Sequence, residues 1–273
     1  MKANSSQPRR IRHPHTLWRT LHHGVDALRL RLGLLLFATV CMDWTVLALP
    51  LYWLLPRKVG TWLGRWGITL VFREYLRVLG WMGSCHFDLS ALDALRDEPG
   101  MVIAPNHPSL LDAVLVISRL PHVSCVMKAE LMDNLLLGSG ARLARYIRND
   151  SLRSMVQLAV ADVRKGNHLL LFPEGTRTTR IPVNRLQGTV GLIAKQAQVP
   201  VQTVFIETNS PFLGKGWPLL RRPAMPMVYR VRLGQRFDPP DNVEAFARTL
   251  EQYFQTELAH ALLPDLPVTE YSR

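Results

Sequence analysis

An α/β fold, with a central sheet flanked by helices and preceded by an N-terminal membrane-anchoring helical motif, is predicted by three features of this 273-residue chain. Beyond Gly83, short apolar runs alternate with helical stretches, the pattern of strands interleaved with helices. Between Leu34 and Leu55 the chain is almost wholly apolar. Its length suits one sizeable domain plus an appendage and is short for two ordinary domains.

Strands are expected at Met101–Ala104, Val123–Met127, His168–Phe172, Val199–Ile206 and Met227–Leu233, each a brief apolar run. Helices are expected at Leu110–Ser118, Leu152–Lys165 and Thr189–Gln196, with an amphipathic C-terminal helix over Val243–Leu262. The stretch Pro211–Pro226, rich in Pro, Gly and Arg, reads as a surface loop. The resulting organisation is a basic tail and anchoring helices over 1–83, an α/β domain over 84–240, and a terminal helix and tail over 241–273.

The anchor is argued from charge as well as hydropathy. A formal charge of +12 and a pI near 10.3 mark a protein that seeks anions, and position decides which. Lys2, Arg9, Arg10, Arg12, Arg19, Arg29 and Arg31 precede the apolar segment, and Arg57, Lys58, Arg65, Arg73 and Arg77 follow it. Basic flanks around an apolar helix are attracted to an anionic membrane surface. The long basic approach and the absence of a small-residue cleavage site speak against a removed signal peptide.

One span would separate the two basic flanks, whereas the positive-inside tendency holds both on the cytoplasmic face, that of a bacterial inner membrane. Asp43 and Pro50 also interrupt the segment, and Trp62, Trp66 and Trp81 mixed with Arg65, Arg73 and Arg77 suit an interfacial helix. A monotopic two-helix anchor is therefore expected, with a single transmembrane helix as the alternative. Nucleic acid is not expected as a partner, because outside the anchor the basic residues lack interleaved aromatics.

Three cysteines, Cys41, Cys85 and Cys125, form no C-x-x-C pair and leave an odd thiol, which fits a reducing cytoplasm. His13, His15, His22 and His23 cluster without Cys or carboxylate companions, so a solvated basic tail is favoured and no metal is expected.

The chemistry concentrates in two places. After the first strand comes Asn106-His107-Pro108-Ser109-Leu110-Leu111-Asp112, with Ser109 expected as a helix N-cap and Asp112 in the first turn. A carboxylate so placed can fix the tautomer of His107 and leave its other ring nitrogen to deprotonate a hydroxyl. The spacing is weak alone, since His260 and Asp265 repeat it, but His260 follows no strand and Pro264 interrupts the pair.

The second place is Phe172-Pro173-Glu174-Gly175-Thr176-Arg177-Thr178 after the apolar run HLLLF, so the same sheet edge can present both loops. Gly175 permits a tight turn, Thr176 and Arg177 offer a hydroxyl and a fork suited to phosphate, and Glu174 can hold Arg177 or an acceptor hydroxyl.

In that order, NHPSLLD and FPEGTRT resemble the first and third blocks of the glycerolipid acyltransferase family, over roughly Phe87 to Val231. Lys128-Ala129-Glu130-Leu131 leading to Tyr146-Ile147-Arg148, and Val199-Pro200-Val201, are similar to weaker blocks of that family. The resemblance implies that His107 and Asp112 are the catalytic dyad, that Glu174, Gly175, Thr176 and Arg177 bind the acceptor, and that Arg148 helps to hold its phosphate. Thr203 stands where the family commonly has a second proline, and Gln187 where it often has a basic residue, with Arg185 two positions earlier. Arg185-Leu-Gln-Gly, with the later Lys215-Gly216 and Arg221-Arg222-Pro223, resembles a bacterial branch associated with specialised lipids, including aryl polyenes.

The expected function is transfer of an acyl chain from acyl carrier protein or coenzyme A, bound as a co-substrate thioester with no tightly held cofactor, to a lysolipid acceptor such as 1-acylglycerol-3-phosphate. A thioesterase, in which water replaces the alcohol, and a lipid-binding protein without chemistry are the rivals.

Overall fold

The computed structural model describes residues 14–259, with side-chain surroundings for 23–134 and 138–259. The N-terminal basic residues up to Arg12, His13 and the His260–Asp265 repeat lie outside these residues, and the side chains of His15 and His22 are likewise undescribed.

The chain opens with two long helices, α1 (Pro14–Leu54) and α2 (Arg57–Trp81). Helix α1 begins well before the apolar segment, continues through Pro50, and ends just before Pro56, which stands at the N-cap of α2. Phe37 packs on Phe72 and Tyr75 at ring-centroid distances of 6.3 and 5.1 Å. Further along α1, the Trp44 ring lies against Gly67, so rising numbers on α1 meet falling numbers on α2 and the helices run antiparallel. Within α1, His23–Leu54 is long and apolar enough to cross a membrane by length and composition.

The remaining chain supplies β1 (Cys85–Asp88), a 3-10 helix (Ser90–Leu95), β2 (Val102–Pro105), α3 (Leu111–Ile117), β3 (Val123–Met127), α4 (Ala129–Asp133), α5 (Leu135–Leu143) and β4 (Ile147–Arg148). Then follow α6 (Leu152–Val163), β5 (His168–Leu170), α7 (Thr189–Ala197), β6 (Val201–Thr208), β7 (Met227–Phe237) and α8 (Val243–Ala259). The strands make one seven-stranded sheet in the order β1-β7-β6-β2-β5-β3-β4, in which only the β6–β7 pair is antiparallel.

All five strands expected from the sequence are present, within two residues at their starts. Strands β1 and β4 and helices α4 and α5 were not anticipated. With four and two residues, β1 and β4 are too short to display a period, and both sit at sheet edges.

Period-two alternation divides the sheet residues between two cores. Ile103, Leu170, Val204 and Ile206 face α2 and α3, where they join Leu76, Leu79, Val114 and Leu115. Val102, Leu169, Val201 and Phe205 face the other way, toward Val156, Ile193, Leu250 and Phe254 of α6, α7 and α8. The helical pair and the terminal helix thus form layers on opposite faces of the sheet. Arg65 of α2 is buried and tied to the body of the molecule, donating to Ala144 O at 3.1 Å and to Asp162 Oδ2 at 2.9 Å. The three cysteines are free thiols, with Cys85 and Cys125 buried.

Candidate active site

Strands β2 and β5 are adjacent and parallel, so the loops that follow them leave the same carboxyl edge of the sheet, where ligands of open α/β sheets bind. Asn106 locks the first loop to the next strand. Its Nδ2 donates to Ile206 O at 3.0 Å, and its Oδ1 accepts Ile206 N–H at 2.7 Å. The chain must therefore turn sharply at His107, and Thr178 N–H, donating to His107 O at 2.7 Å, binds the second loop to that turn.

His107 Nδ1 lies 2.8 Å from Asp112 Oδ2, which also accepts Ser109 N–H at 2.8 Å. With Asp112 ionised, Nδ1–H donates, leaving Nε2 as the acceptor nitrogen, and the ring stacks on Phe172 at a centroid distance of 3.8 Å. Asp112 is fully buried, and burial pushes its carboxyl up to about 6 against the opposing pull of the His107 contacts and the Ser109 amide. Its Oδ1 makes no hydrogen bond, so this carboxylate is oriented entirely through one oxygen.

Ser109 is not the N-cap that the sequence suggests; that position is Leu110. The Ser109 hydroxyl instead donates to Phe212 O at 2.9 Å and accepts Leu111 N–H at 3.2 Å, tying the start of α3 to the 211–216 segment. At 1% exposure and with both roles occupied, it is poorly disposed to act as a nucleophile.

The second loop is tied to the fold through Glu174 and Arg177. Glu174 is buried, and its Oε1 accepts His107 N–H at 2.9 Å and the Thr178 hydroxyl at 2.7 Å, while Oε2 accepts Asn184 N–H at 2.9 Å. It braces the two loops, and its described hydrogen bonds do not include Arg177. Arg177 turns the other way and donates through Nη1 to Leu213 O at 2.9 Å and Gly214 O at 2.8 Å. Gly175 adopts φ +67°, a conformation that favours glycine, and the end of the Gln187 side chain packs where a Cβ would stand, 2.3 Å from Nε2.

His107 opens onto a cavity of about 820 Å³. Its walls are apolar, built from Phe37 and Trp44 of α1, Ile68 and Phe72 of α2, and Val114 and Ile117 of α3. Its polar residues include Lys128, Glu130, Asn149, Thr176, Arg177, Gln187 and Lys215, three cations against one carboxylate. Lys128 and Asn149 directly follow β3 and β4, so they sit at the same sheet edge as the dyad. The Trp44 ring, part of the cavity wall, wedges between Gly67 and Gly140: a Cβ on these glycines would meet it at 2.1 and 2.5 Å.

Residues 86–207, a span that contains both loops, match the family model Acyltransferase. Over that span the chain carries an acyltransferase domain. It is 24% identical over 136 residues to the Caenorhabditis elegans protein described as "Putative 1-acyl-sn-glycerol-3-phosphate acyltransferase acl-1". That match covers 47% of this chain and 52% of the relative, so the chain spans about half the length of the curated protein it matches. The fold is also that of the crystal structure of the 1-acyl-sn-glycerophosphate (LPA) acyltransferase PlsC from Thermotoga maritima. The TM-score is 0.66 at 16% identity, over 93% of this chain and all of the other.

Within this acyltransferase-family domain, one residue suggested by the resemblance stands apart. Arg148 is not among the cavity residues; its guanidinium donates to Asp133 at 2.7 and 3.2 Å and to Asp150 at 3.0 Å. These carboxylates raise its pKa and leave no aligned pair of donors for a phosphate. The neighbours Lys128 and Asn149 take the place at the cavity that Arg148 was expected to fill. Asn106 and Lys215 stand within the sequence motifs, but their roles do not show there, and only the fold carries Lys215 back to the dyad.

Proposed function

We propose that the protein is a membrane-associated O-acyltransferase that moves an acyl chain from an acyl carrier protein or coenzyme A thioester to the hydroxyl of a lysolipid, 1-acylglycerol-3-phosphate being the best fit. The observation that carries this reading is that the His107–Asp112 pair opens onto one cavity whose walls suit an acyl chain and whose polar residues include three cations against one carboxylate. Lys128, Arg177 and Lys215 together favour an anionic head group over a neutral alcohol.

In this mechanism the acceptor oxygen attacks the thioester carbonyl as His107 Nε2 takes its proton, while Asp112 stabilises the imidazolium that forms. The tetrahedral oxyanion needs donors not already used by the fold. The amides of His107, Ser109, Leu110 and Leu111 donate to Glu174, Asp112, Leu213 O and the Ser109 hydroxyl respectively. Those of Thr176 and Arg177 have no protein acceptor among the described hydrogen bonds, and they form the oxyanion site in this reading. Collapse breaks the carbon–sulfur bond, and the departing thiolate takes the proton back from His107, leaving ester and free thiol.

Both long helices lie at the cytoplasmic face of the bilayer in this reading, because α1 and α2 pack on each other and on the sheet, leaving Trp53, Trp62 and Trp66 exposed for the interface. The test is mass spectrometry of products from the purified protein given mixed acyl carriers and a panel of lysolipids. An esterified lysophosphatidate supports the proposal, free fatty acid would make the protein a thioesterase, and no product would make it a binding protein. Lys128→Ala should raise the KM for lysophosphatidate roughly tenfold, the scale of one lost charged hydrogen bond, and leave the KM for a monoacylglycerol unchanged.

A further inference from the structure

Between Gly214 and Arg222 the chain makes a tight excursion. Trp217 N–H donates to Gly214 O at 3.1 Å, Arg221 N–H donates to Pro218 O at 2.9 Å, and the Arg221 guanidinium lies 4.7 Å above the Trp217 ring. This turn leaves two adjacent leucines at its tip, Leu219 at 56% and Leu220 at 73% exposure. Exposed Lys215 and Arg221 flank them, and Arg222 follows. An apolar tip with a basic rim is the composition of an element that enters the head-group region of an anionic bilayer.

The location adds a second argument. Arg222 Nη1 donates to His23 Nδ1 at 2.6 Å and to His23 O at 3.1 Å, fixing the loop beside the start of the apolar part of α1. From there Val25, Leu28, Leu32, Leu35, Met42 and Val46 are all exposed, at intervals of three, four or seven residues that keep them on one side of the helix. This stripe is ~30 Å long at 1.5 Å per residue. Leu219 and Leu220 lie within three residues of Arg222, whose contact with His23 places the loop at that end of α1.

We infer that the Gly214–Arg222 loop is a third membrane-inserting element beside α1 and α2, its occupant the surface of an anionic-lipid bilayer; this rests on the reading that those helices lie in the interface. Insertion at this point also sets the height of the site. Leu213, seven positions before Leu220, accepts both Leu110 N–H at 3.1 Å and Arg177 Nη1 at 2.9 Å. The tip in the lipid and the loops around His107 are thus joined by a few residues of ordered chain, so the cavity mouth is held at the depth where a lysolipid head group resides.

The test uses the full chain carrying Cys41→Ser and Leu220→Cys, labelled with a polarity-sensitive thiol dye and reconstituted into phosphatidylcholine–phosphatidylglycerol vesicles. Nitroxide-labelled lipid should quench this dye at least about twofold more than the same dye at Arg248→Cys, on the exposed face of α8 across the sheet. Equal quenching at the two positions overturns the inference, as does a shielded dye that lipid nitroxide does not reach, which would mean a protein partner. Leu219→Ser/Leu220→Ser should lower turnover of vesicle-embedded lysolipid roughly tenfold, the scale of removing a leucine from an apolar environment, with turnover of a soluble short-chain lysolipid unchanged. Equal loss on both substrates overturns the inference by making the leucines structural. If the parent protein transfers no acyl group, the proposed activity fails while the quenching result still decides whether the loop enters the membrane.

Discussion

The Glu174 carboxylate accepts the backbone N–H of His107 at 2.9 Å, so the acid of one loop sets the position of the histidine on the other. The same carboxylate accepts Thr178 Oγ1–H and Asn184 N–H, and every one of these contacts requires an acceptor.

Glu174→Gln should therefore be damaging although it preserves shape, because an amide NH₂ must face one of these buried donors. A stability loss of about 1–3 kcal/mol is expected, with kcat reduced and the KM of the acceptor nearly constant. Thermal melting beside steady-state kinetics distinguishes the brace from a substrate contact. An unchanged melting temperature with a raised acceptor KM would return Glu174 to the acceptor.

His107→Ala should lower turnover by ~10²–10⁴ while circular dichroism stays native, since the ring is a proton acceptor at the cavity and not a core group. Asp112→Asn should also be severe, because the amide can present its NH₂ to Nδ1 and favour the wrong tautomer. His260→Ala serves as the control and is expected to be active; equal damage from both histidine changes would show that the assignment is wrong.

The pH profile follows from the sign of the Asp112 shift. Burial raises its carboxyl to about 6, so acidification through that range protonates it and removes the charge that stabilises the imidazolium. The value of kcat/KM should fall as pH drops below about 6, with the limb belonging to the His107–Asp112 pair. A profile flat down to pH 5 would mean that Asp112 remains ionised despite its burial.

Trp44 should limit acyl length. It lines the cavity as the bulkiest side chain packed between Gly67 and Gly140, and Trp44→Ala would enlarge the apolar space beside α1 and α2. Competition among acyl donors of graded length should show an optimum moved to longer chains, whereas an unchanged optimum would place the end of the acyl chain elsewhere.

The sequence by itself determined the α/β fold, the five central strands and the two chemical loops, because these are local properties. Strand periodicity, a proline-bounded turn and the five-residue interval from His107 to Asp112 are all written within a few positions of the chain. The fold then decided what each polar group faces. Glu174 and Arg148 look equally suited to a substrate in one dimension, yet burial beneath the His107 turn occupies the first, and Asp133 and Asp150 take the second. Lys128 and Lys215 stand in stretches that carry the resemblance, but nothing local places them at the site; parallel pairing of β3 with β5 and the return of the 211–216 segment to α3 bring them to the cavity. The physical reason is that hydrophobic periodicity records which side of an element is buried, whereas a charged group's partner depends on which distant backbone folds against it.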